Sequence, residues 1–226
     1  MTNTTDFTIA EKFLLLAHHP HKERFLLQSQ HRTLGLIGSM LFDLSLEGKI
    51  NVDTGRLIVK APSTSLSAIH NTILIELSKY KKPRKVKTWI SKLSWYGRRN
   101  QREVLEMLKR KRIIRIERKR FLFINYSKTK IINPKPRVNL VSEIRDIVFK
   151  NKQANSEILI ILGLIEACKM HKIVCKNSNE TKVCKSKLKD IVKSDKISQG
   201  VQSVIKEMQA AILTAVAAST VVTSGR

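Results

Sequence analysis

The stretch "RRNQREVLEMLKRKRIIRIERKR", Arg98 to Arg120, carries 11 of the chain's 43 Lys and Arg, the densest candidate for chemistry in the sequence. A guanidinium offers five N–H donors in a planar fork that matches phosphate, so arginines one helical turn apart are anion-binding groups. Its first half has helical spacing, with Val104, Leu105 and Leu108 on the inner face. The continuation "IIRIERKRFLFI" alternates as a hairpin, with Ile114, Ile116, Phe121 and Phe123 as inward candidates. A basic helix followed by a basic hairpin can lie on an anionic lipid surface, or sit on DNA as a winged helix does. Glu103 and Glu106 interrupt the presumed reading face. Phosphate contacts alone would also give only non-specific DNA binding. Nucleic acid is therefore the alternative partner, and acidic protein tails are a third.

The remaining reactive residues point to structure. Cys168, His171, Cys175 and Cys184 give C-x2-H-x3-C, which lacks the paired short spacings of structural zinc sites. Buried free thiols and no metal are expected. His18, His19 and His21 flank Pro20 in a polar turn and are expected to be exposed. Asp43 and Glu47 lie one turn apart at a helix end, where pairing with Lys49 or Arg32 is the expectation rather than acid and base work. No G-x-S-x-G elbow or phosphate loop occurs, so neither an enzyme nor a cofactor is expected.

Elements must position these side chains. The chain has 226 residues and is 42% hydrophobic, enough to bury a core. Its 43 Lys and Arg against 18 Asp and Glu give a formal charge of +25, which attracts polyanions. Helical spacing runs over Phe7–Ala17 and through Leu34, Ile37, Leu41 and Leu44, where Leu36 and Met40 make the helix apolar nearly all round. Gly35 and Gly38 in that run open a groove for a neighbouring helix. A first hairpin spans Ile50 to Val59 around "DTG", and a helix follows on Leu66, Ile69, Ile73 and Leu77. Leu140, Val141, Ile144, Ile147 and Val148 mark another helix, "EILIILGLIEACKM" a central one, and "SKLKDIVKSD" and "GVQSVIKEMQAAILTAVAAST" the last two.

The expectation is a mainly α fold: a central buried helical bundle surrounded by amphipathic helices, with two short β-hairpins. Residues 7–222 form one domain after a disordered tail, 1–6. No apolar run reaches the roughly 18 residues of a membrane span. The start "MTNTTDFTIAEKF" lacks a basic region followed by an apolar one. A reducing cytoplasmic setting is expected, at the cytoplasmic face of a membrane where the protein binds one.

The order of "FLLLAHHPHKERF", "LGLIGSMLFDLSLEGKINV", "LIVKAPSTSLSAIHNTILIEL", "VKTWISKL" and "REVLEMLKRKRIIRIERKRFLF" resembles the Golgi phosphoprotein 3 family, over roughly Phe7 to Ala218. Its sharpest piece is G-L-x-G-x-x-L-x-x-L-x-L-x-G-[KR]-[IL], Gly35 to Ile50. The resemblance implies a peripheral membrane protein that binds phosphatidylinositol 4-phosphate. The family's head-group pocket combines an aromatic, an arginine near the first buried helix and two arginines of the later basic helix. In this chain the aromatic position falls on Gln28 and the first arginine on Ile37, while the later pair falls on Arg98 and Gln101. Arg32, Arg99 and Arg102 are the nearby replacements, so Arg98, Arg99, Arg102 and Arg32 are the expected lipid-head-group residues. In eukaryotic members the first hairpin is long and apolar-tipped and a basic tail contacts coatomer. Here these positions read "NVDTGR" and "MTNTTD", like a compact prokaryotic member, so weaker, reversible binding is expected and Golgi retention is not carried over.

Overall fold

The computed structural model describes residues 7–60, 65, 67–121, 123–193 and 209–217. Helix α1 (Ile9–Ala17) opens with a capping box: Thr8 Oγ1 accepts the Glu11 N–H while the Glu11 carboxylate accepts the Thr8 N–H. It packs against α2 (Ser29–Leu46), which is buried continuously from Leu34 to Leu44. The two glycines of α2 explain how closely its neighbours come. A methyl group at Gly35 would run into the Phe13 ring of α1 and lie 2.6 Å from Cys168 Sγ, and one at Gly38 would strike Ile212 of the helical residues 209–217. Packing thus offsets the roughly 1 kcal/mol that each glycine costs a helix.

Strands β1 (Ile50–Asp53) and β2 (Arg56–Val59) pair antiparallel around Thr54-Gly55, both at positive φ. A two-residue strand β3 (Arg84–Lys85), not foreseen from the sequence, extends this sheet from β2. Helix α3 (Ala68–Ser78) buries Ile69, Ile73 and Leu77; Leu66, expected on the same face, lies outside the described residues. Helix α4 (Val86–Ser94) was also not foreseen, although Val86, Trp89, Ile90 and Leu93 recur at helical spacing and are all buried.

Helix α5 (Gly97–Arg110) begins against Thr33 of α2, where any side chain at Gly97 would collide with the Thr33 methyl. Arg112, in the left-handed region, turns the chain into β4 (Ile114–Phe121), which pairs with β5 (Ile124–Ile131) in register from Ile114↔Ile131 to Phe121↔Ile124. Ile114 is buried and Ile116 half-buried, as the alternation requires. Phe123 departs from the expectation. It stands at the tip, 90% exposed, because the hairpin runs past the core that would have covered it.

Helices α6 (Lys135–Lys150), α7 (Ser156–Ala167), α8 (His171–Val174) and α9 (Ser178–Lys193) complete the described chain with residues 209–217. The apolar α7 is central, as its sequence demands. The outcome is mainly α with small antiparallel strand pairs. No described helix is long and apolar enough to cross a membrane.

Candidate functional site

Two buried polar side chains, His18 and Asp43, overturn expectations before the site itself is reached, and Cys168 meets one. His18 is buried rather than exposed. Its Nδ1 lies 2.7 Å from the His19 carbonyl, and its Nε2 lies 3.0 Å from the Thr129 carbonyl and 2.9 Å from Thr129 Oγ1. This contact ties the end of α1 to β5, and burial holds the imidazole pKa below its ordinary value. Asp43 accepts the N–H groups of Ile9 and Ala10 at the start of α1 and faces His70 Nε2 at 3.1 Å, with Ser67 Oγ 2.6 Å from His70 Nδ1. Ser67 caps α3 and Asp43 holds the start of α1, so this buried line joins three helix ends. Cys168 is wholly buried, and desolvation pushes its thiol up to about 12.

The arginines of α5 divide between two clefts. Arg98, Gln101 and Arg102 line one wall of a cleft of about 780 Å³ whose other wall is the β4–β5 hairpin, with Arg118, Lys119, Arg120, Tyr126 and Ser127. Leu105 and Ile116 lie between the walls. Five cations therefore face one concavity. Glu106 also lines it, 3.2 Å from Lys109, and Lys119 is 3.4 Å from Glu117. Tyr126 adds a ring and a hydroxyl to the polar wall. Such a set can bind a phosphate-bearing anion by charge-assisted hydrogen bonds from several directions.

Arg99 points away from that cleft. It lines a smaller one, about 260 Å³, with Ile73, Ile75, Glu76, Lys79, Leu93, Tyr96 and Asn100. Successive residues on a helix are separated by roughly 100°, and here Arg98 and Arg99 line different clefts. Arg32 stands behind the larger cleft. Its Nε donates to Gln101 Oε1 at 2.8 Å, its Nη1 to the Leu27 carbonyl at 2.9 Å, and its guanidinium lies 4.2 Å from the Phe25 ring centroid. Ile37, where the resemblance would put an arginine, is completely buried, and Gln28 is exposed just before α2.

The Golgi phosphoprotein 3 (GPP34) family pattern matches residues 9–208, which is most of the chain. The chain belongs to the Golgi phosphoprotein 3 family. No curated protein sequence matches it. Within this GPP34 domain, sequence reasoning singled out Arg98 and Arg102 and missed Arg118, Lys119, Arg120 and Tyr126 as their cleft partners. Their charge was visible, but the way the hairpin folds back along α5 was not. The first hairpin, β1–β2, is short, as expected. The β4–β5 hairpin of this family member carries the exposed Phe123 between its strands.

Proposed function

We propose that this protein is a peripheral membrane protein whose cleft between α5 and the β4–β5 hairpin binds an anionic lipid head group, phosphatidylinositol 4-phosphate being the first candidate. The observation that carries the reading is the convergence of Arg98, Arg102, Arg118, Lys119 and Arg120 on one concave surface. Membership of the GPP34 family, whose members bind this lipid, supports it. Arg98 and Arg102 are the primary phosphate donors, with Arg32 adding charge from behind Gln101. Arg99 contributes to general attraction from the other flank of the helix.

Phe123, exposed at the tip of a basic hairpin, supports the same reading: an apolar tip enters the bilayer while the cations beneath it engage head groups. Each Lys or Arg near an anionic surface adds about 1 kcal/mol of attraction, screened beyond a Debye length of about 8 Å at physiological salt. Binding is reversible and depends on ionic strength.

The test is an Arg98→Ala, Arg102→Ala double variant in vesicle co-sedimentation. Preference for the phosphoinositide over phosphatidylserine of equal surface charge falls, while charge-driven binding stays close to that of the parent chain. An unchanged preference would move the head group to another part of the surface.

A further inference from the structure

We infer that the α4–α5 turn, Trp95-Tyr96, is a second membrane-inserting element that enters the interfacial layer of an anionic bilayer beside the hairpin tip. This rests on the membrane-binding reading above and extends it to a surface outside the cationic cleft.

Trp95 is 87% exposed, where the other tryptophan, Trp89, is 2% exposed in the core. Tyr96, next to Trp95 in the chain, is exposed as well, and it borders the smaller cleft together with the exposed Ile75. A lone exposed leucine is ordinary on a protein surface, but an adjoining Trp and Tyr have the amphipathic rings that settle at the depth of lipid head groups.

The charge around the patch selects the partner. From Leu77 to Arg102 the chain carries ten Lys and Arg and no Asp or Glu. Glu76, just before this stretch, is neutralised by Lys79 and Lys92, each 2.7 Å away. An exposed aromatic pair within a strongly cationic segment is complementary to an anionic lipid surface. It is not complementary to an apolar protein face lined with cations.

Position supports the same occupant. Arg98, in the first turn of α5, shares a cleft with Arg118, Lys119 and Arg120 of the outer half of the hairpin. The hairpin therefore runs back toward the start of α5. Trp95-Tyr96, just before Arg98, and Phe123, just beyond Arg120, therefore both adjoin the residues at this end of the cationic cleft.

The chain has two tryptophans, so the emission that a Trp95→Phe variant lacks reports on Trp95 against the buried Trp89. The full chain, with a Trp95→Phe variant as background, is mixed with vesicles of phosphatidylinositol 4-phosphate and phosphatidylserine that also contain phosphatidylcholine brominated along its acyl chains. Bound and free protein are separated by co-sedimentation of the same samples. The expected result is a blue shift of Trp95 emission, quenching by bromine and loss of quenching by aqueous iodide. A Trp95→Ala variant then partitions about tenfold less onto the vesicles. Protein that sediments with vesicles while Trp95 stays iodide-accessible would overturn the inference and leave the membrane reading standing. Protein that does not sediment at all would overturn both.

Discussion

Arg32 Nε donates to Gln101 Oε1 at 2.8 Å, across the junction of α2 and α5. Gln101 stands where the family resemblance would put an arginine, and here a neutral amide accepts from an arginine of the neighbouring helix. Phe25 and the Leu27 carbonyl hold the Arg32 guanidinium in place. Partial burial lowers the Arg32 pKa from its usual value through desolvation, which makes the amide acceptor matter. Replacing Gln101 by Leu removes that acceptor while keeping bulk, and the loss of stability is about 1.5–3 kcal/mol, the range for hydrogen bonds to charged groups. A denaturant midpoint unchanged in Gln101→Leu would show that Arg32 is held by other contacts.

The His18–Thr129 contact makes hairpin anchoring pH-dependent. Burial lowers the His18 pKa below 6.5, with Arg137 and Arg32 acting in the same direction and the carbonyls of His19 and Thr129 against it. The unfolded chain therefore takes up the proton first. Stability from this group is complete above pH 6.5 and declines as pH falls below that value toward the folded pKa. Thermal midpoints compared at pH 7.5 and 5.5 measure it, and His18→Gln flattens this part of the profile.

Gly35 is a packing residue. Gly35→Ala gains about 1 kcal/mol of helix propensity but forces a methyl against Phe13 and Cys168, an overpacking cost of about 1–3 kcal/mol. A lower thermal midpoint is expected. A clear rise in midpoint would mean that α1 and α7 do not approach α2 as closely as described.

Phe123 has no packing role, so Phe123→Ser should leave the thermal midpoint nearly unchanged while weakening vesicle binding severalfold. Equal losses in both assays would reveal a core contact for the tip.

Much of this fold was legible because its elements are strongly periodic. The all-round apolarity of α2 and α7 marked the buried pair, and Gly35 and Gly38 announced close packing. Helix α4 was readable in Val86, Trp89, Ile90 and Leu93 but was masked by the basic residues around it. His18 was misjudged because a polar turn beside Pro20 says nothing about Thr129, 111 residues further on. The cationic cleft was half legible for the same reason. The resemblance indicated Arg98, with Arg99 and Arg102 as nearby replacements, and Arg99, three residues from Arg102, could not be separated from it by spacing alone. No local signal says that Arg118 and Arg120 fold back to face them.

The central claim is recognition of a head group rather than of charge alone. The direct measurement is co-sedimentation at about 150 mM salt, where surface charge is already partly screened. Phosphatidylinositol 4-phosphate vesicles are compared with phosphatidylserine vesicles of equal surface charge. The account predicts tighter binding to the phosphoinositide, with the difference lost in the Arg98→Ala, Arg102→Ala variant. Equal binding to the two surfaces by the unmodified protein would contradict it.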